Sequence, residues 1–150
     1  MNKALFFNGV PEEVLTEILE AQIGHAEGEL FLQKGRTIKL FENRLPKPNS
    51  PIRLYISTTK RLSTICYTAE IIQWEDKRVM SQHRQDEVLH YLKTFQPKER
   101  NKFLEREKAF NLITIRNLRS VETLLPTSFL KKEDGSPPWE NAFTWLGRSL

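Results

Sequence analysis

Cysteine, histidine and glycine are scarce in this 150-residue chain, and each scarcity removes a class of chemistry. Cys66 is the single cysteine, so there is no disulfide framework and no cysteine-based zinc site, a pattern that fits a reduced cytoplasm. It sits in an apolar, β-rich run and reads as a buried structural residue, not a nucleophile. The three histidines, His25, His83 and His90, make no H-E-x-x-H pair; His83 and His90 are seven apart, and a solvated helix face explains them. With six glycines there is no Walker loop, no G-x-G-x-x-G and no G-x-S-x-G elbow. Apolar runs are only a few residues long, and residues 1–9 lack the apolar stretch and cleavage site of a signal peptide. The expectations are a cytoplasmic location, no membrane partner, no cofactor, no metal and no catalytic residues, with binding favoured over enzymatic activity.

Charge is present in quantity and unevenly placed. Residues 1–33 carry Lys3 against six glutamates, whereas residues 34–61 carry eight cations against Glu42 alone. A basic block on strands and their turns makes a compact field that attracts phosphates.

The apolar pattern divides the chain. After Leu5–Phe7, Asn8 and Gly9 predict a turn, Pro11 with Glu12 and Glu13 suits a first helical turn, and Val14, Leu15, Ile18 and Leu19 recur at helical spacing up to Gly24. The period then drops to two at Leu30/Leu32, Ile38/Leu40 and Ile52/Leu54/Ile56, with a rigid turn at Pro46, Pro48 and Pro51. Leu62–Trp74 is the longest β-rich run, as in the central strands of a closed barrel. Residues 75–108 are highly charged and predict two helices divided near Pro97; a strand returns at Phe110–Leu118, and Trp139, Phe143, Trp145 and Leu146 are spaced for a short terminal helix. The expected organisation is α+β: a single domain over 1–150, with a helical insertion at about 78–108 that lacks a core of its own.

This order of pieces resembles the PUA-like superfamily, and within it the ASCH and EVE domains. The resemblance runs from Lys3-Ala4-Leu5-Phe6-Phe7 through Pro11 to Gly35-Arg36-Thr37-Ile38-Lys39-Leu40, then Ile52–Lys60 with its hydroxyl-bearing end, and Ser63–Trp74 with Glu70. It covers about half the chain and implies a small PUA-like β-barrel with flanking helices, and a nucleic-acid partner, RNA or a modified or flipped base held in a barrel pocket. Some ASCH proteins act as hydrolases or ribonucleases with a lysine and an acid near the glycine-bearing strand. Here those places fall on Arg36 and Lys39. A permanently charged guanidinium and a second cation cannot supply a general base, whereas two cations suit phosphate.

The leading expectation is therefore a nucleic-acid-binding module, for RNA or DNA. Its candidate contacts are Asn8, Arg36, Lys39, Ser57, Thr58, Thr59, Lys60 and Arg61, with Tyr55 and Trp74 as aromatics able to stack on a base; Trp74 is the better placed, at a strand end beside Glu75 and Asp76. One alternative is an ASCH-type hydrolase or ribonuclease acting on RNA or a modified nucleoside, using Glu70 or Glu42 with Lys60 or Arg36. Another is a protein-interaction adaptor working through the charged helices of residues 82–107.

Overall fold

In the computed structural model, which describes residues 4–25, 28–35, 51–130 and 144–146, the period-two stretches at Leu30/Leu32 and Ile52/Leu54/Ile56 become strands of a single sheet, while Ile38/Leu40, Pro46 and Pro48 lie outside the described residues. They are β1 (Ala4–Val10), β2 (Leu30–Lys34), β3 (Ile52–Thr58), β4 (Thr64–Asp76), β5 (Asn111–Pro126) and β6 (Thr144–Leu146), in spatial order β2-β5-β4-β3-β1-β6. β1 and β3 run parallel, and every other neighbouring pair is antiparallel. Three α-helices lie among the described residues: α1 (Glu12–His25), α2 (Gln82–Phe95) and α3 (Arg100–Leu104).

Alternation assigns the faces. Leu5, Phe7, Leu54, Ile56, Ile71, Trp74, Ile113 and Ile115 point to one side and join Leu15 and Ile18 of α1 in the main core. α1 starts where Pro11 presets the first turn, and Glu12 and Glu13 complement the positive end of its dipole. On the opposite side Ala4, Phe6, Tyr55, Ile65 and Leu130 form a smaller apolar cluster.

The helices α2 and α3 interrupt the β4–β5 hairpin and pack on the sheet through Phe31, Val88, Leu92, Phe103 and Leu112. Gly28 is where α2 presses closest: a Cβ there would lie 2.3 Å from a Phe95 ring carbon and 2.7 Å from one of Tyr91. Arg84 bonds Glu75 at 2.9 Å and Glu29 at 2.7 Å, and also pairs with Glu87. Lys77, 1% exposed, donates to Gln33 Oε1 at 2.9 Å and the Lys102 carbonyl at 3.0 Å. Burial and the nearby charge of Lys102 push its pKa down to about 8.

Two glutamines finish what the strand ladders leave open. Gln96 accepts from the Phe31 N–H and donates to the Phe31 carbonyl, both at 2.8 Å, so its amide occupies the outer side of β2. Gln22 does the same to the N–H and carbonyl of Leu118, both at 2.8 Å, beyond the point where β5 loses β2 as a neighbour.

The structure corrects several expectations. The described strands form an open sheet and not a closed barrel, since closure needs the two end strands to bond each other and the outer side of β2 is taken by Gln96. Asn8 and Gly9 do not make a turn between β1 and α1; they form an irregularity inside β1, where the register to β3 shifts and Gly9 adopts φ 82°. Trp145 and Leu146 belong to strand β6, not to a terminal helix, because they pair with Leu5 and Ala4. β5 runs on to Pro126, well past Leu118, because β4 continues to pair with it.

Candidate functional site

Because β1 and β3 are parallel, they leave the sheet at the same end, with Val10 opposite Thr58. The chain turns there over Thr58–Ser63, and a buried polar knot fixes the turn. The Asn8 side-chain oxygen accepts from Ser57 Oγ at 2.5 Å and from the Ser63 N–H at 3.3 Å, while the Gly9 N–H donates to Ser57 Oγ at 2.8 Å. The Thr59 N–H donates to the Val10 carbonyl at 3.1 Å, and the Arg61 N–H donates to the Thr58 carbonyl at 3.1 Å and Thr58 Oγ1 at 3.2 Å. Gly9 is required in this knot: its φ is positive, and a Cβ would come 3.0 Å from a Leu62 methyl.

Six of the ten expected contact residues thus meet at or beside one end of the sheet, in two roles. Asn8, Ser57 and Thr58 are buried and set the backbone. Thr59, Lys60 and Arg61 are exposed at the tip. Lys60 reaches Glu12 at 3.5 Å, but its side chain is 76% exposed, so the pair is weak and screened and the ammonium stays available. Arg61 has no ion-pair partner among the described residues. Arg36 and Lys39 lie outside the described residues.

The two aromatics are placed differently from the expectation. Tyr55 is buried at 4% exposure in the cluster with Phe6 and Ile65. Trp74 is buried at 6% exposure, its indole N–H donates to Asn111 Oδ1 at 2.9 Å, and its ring meets Phe7 edge-on at 6.5 Å. The acidic neighbours suggest a rim, yet Glu75 and Asp76 are engaged by Arg84 and Arg78, and the Trp74 indole is buried. Neither ring is open for stacking on a base in this conformation.

A second constellation escaped the sequence reading. On the sheet face opposite α1, Arg53 stands in register with Glu70, and Glu70 with Arg116, across β3, β4 and β5. Glu70 Oε1 accepts from Asn117 Nδ2 at 2.5 Å and faces Arg116 Nε at 3.4 Å, so this carboxylate, a candidate catalytic acid on sequence, is engaged in holding a cation and a bulge. Asn117 sits in the left-handed region at φ 55°, inserting an extra residue into β5 that brings Arg116 and Arg119 to the same face. The signal in the sequence was Arg116-Asn117-x-Arg119 within an apolar strand, since asparagine tolerates the bulge conformation.

Among the described residues, no group of three or more His, Cys, Asp or Glu is arranged to hold a metal ion. None of the described helices is long and apolar enough to cross a membrane. The chain matches no family model, no curated protein and no solved structure.

Proposed function

We propose that this chain is a nucleic-acid-binding module of the PUA-like kind that engages its partner through phosphates. The observation carrying this reading is the Thr58–Arg61 turn: a buried amide and hydroxyl knot holds its backbone, and Lys60 and Arg61 project from it into solvent. A turn whose backbone is already fixed loses little freedom on meeting a phosphate backbone, and in sequence Lys60 and Arg61 close a stretch from residue 34 that carries eight cations against one glutamate. RNA is the favoured partner on the resemblance alone. Contact through phosphate and hydroxyl groups replaces the aromatic stacking anticipated from sequence, because Tyr55 and Trp74 are enclosed.

Titration of labelled single-stranded RNA, single-stranded DNA and duplex at two salt concentrations tests the proposal. Binding is expected to weaken steeply with salt, and the Lys60→Ala, Arg61→Ala double variant is expected to flatten the salt slope by about 2. Absence of binding to every oligonucleotide at low salt would overturn the reading.

A further inference from the structure

We infer that the cleft beside the β5 bulge is a second site, built to take a single nucleotide unit by its phosphate. The cleft has a volume of about 400 Å³ and is lined by Gln22, Gly28, Leu30, Ile115 and the run Arg116–Arg119. That volume suits a nucleotide-sized organic phosphate.

Its construction follows from the bulge. The extra residue at Asn117 interrupts the ladder to β4, and Gln22 of α1 satisfies the Leu118 N–H and carbonyl, so the cleft wall is a fixed backbone and not a frayed edge. Two guanidinium groups stand at this wall. Arg116 is steadied through Nε by Glu70, yet its side chain remains 53% exposed. Arg119 is exposed and makes no ion pair among the described residues. Planar, permanently charged forks match the oxygens of a phosphate, and two on one wall favour an anion over a neutral ligand. Among the described residues Glu70 is the one carboxylate paired with either arginine, and it is spent on Arg116 and Asn117. Leu30 and Ile115 lie in the core behind this wall, so they back the cleft while Arg116 and Arg119 face the ligand.

This site is separate from the Thr58–Arg61 turn. The nucleotide unit has two sources, a free mononucleotide or one residue of a strand, and the phosphate chemistry is common to both. Adenosine 5′-monophosphate and a single-stranded oligonucleotide serve as probes, with backbone amide shifts of Asn117 and Leu118 read by NMR and affinity read by titration. Arg119→Ala, which leaves the Arg116–Glu70–Asn117 contacts in place, and Arg116→Ala are each expected to weaken the responding probe roughly tenfold, with the thermal midpoint of Arg119→Ala unchanged. A response to the oligonucleotide alone assigns the cleft to a strand, and a response to the mononucleotide assigns it to a free ligand. If oligonucleotide binds but neither variant weakens it and the amides of Asn117 and Leu118 stay still with both probes, the cleft inference falls while the turn reading stands. If the mononucleotide moves those amides and no oligonucleotide binds, the cleft stands and the turn reading falls.

Discussion

On the α1 side of the sheet Leu54, Ile71 and Ile115 are sealed from water, while one residue away along the same strands Arg53 and Arg116 stand in solvent beside a half-buried Glu70. The strands supply both sets, and the two-residue period alone separates them. The sealed residues hold the fold together, joined by the Phe6 and Phe31 clusters of the opposite face, whereas the charged set lies outside those clusters. A substitution in the sealed set is therefore expected to affect stability, and one in the charged set to leave it nearly unchanged.

The largest expected effect tests that division directly. Phe7→Ala removes a fully buried ring packed against Trp74 and should cost about 3–5 kcal/mol in chemical denaturation, against less than about 0.5 kcal/mol for Arg119→Ala. Equal losses would erase the distinction between the faces.

An intermediate effect concerns the glutamines. Gln96→Ala leaves two buried main-chain groups of Phe31 without partners and should cost about 1–3 kcal/mol, with faster hydrogen exchange at the Phe31 amide. Gln22→Ala should cost less, because its site is part-buried and water can replace the amide. A reversed order of the two variants would show that the β5 bulge, and not the outer side of β2, is the more tightly sealed.

The smallest effect is a pH dependence. Burial, reinforced by Lys102, lowers the pKa values of both Lys34 and Lys77 to about 8, against an ordinary lysine value of 10.5. Above pH 8 the unfolded chain holds more protons than the folded one, so stability should rise as pH climbs from about 8 toward 10. Beyond 10 the raised pKa of the half-buried Tyr67 hydroxyl acts in the opposite sense, because the unfolded tyrosine ionises first. Denaturation midpoints at pH 7.5 and 9.5 measure the rise, and Lys77→Met should reduce it. An undiminished rise in that variant would assign the effect to Lys34.

Much of this arrangement is legible in the sequence. The alternation at Ile52, Leu54 and Ile56 became β3, the helical spacing from Val14 to Leu19 became part of α1, and Pro97 divides α2 from α3 as its missing N–H and fixed φ require. The hydroxyl-bearing strand end was read as a site, and Asn8, Ser57 and Thr58 do converge there, though as a buried support under Lys60 and Arg61. What could not be read were tertiary partners. Trp74 looked like a rim residue because Glu75 and Asp76 follow it, and only the docking of Arg84 from α2 shows where the Glu75 charge goes. The pairing of Arg53 with Glu70 and Arg116 depends on strand register, and the bulge at Asn117 shifts that register by one residue. A terminal helix was expected where three residues instead pair with β1, since a short apolar aromatic stretch carries no period of its own.

The Gln96 amide has a further consequence, for the behaviour of many copies of the chain together. An unprotected outer strand invites pairing with a strand from another molecule, which is how soluble sheets begin to polymerise. At Phe31 the N–H and carbonyl such an intruder would need are already bonded to a side chain anchored at the end of α2. An incoming strand would have to eject Gln96 before gaining its first bond there. The helical insertion in the β4–β5 hairpin thus also serves as a stopper against sheet-to-sheet aggregation, and shortening it should reduce solubility even in variants that still fold.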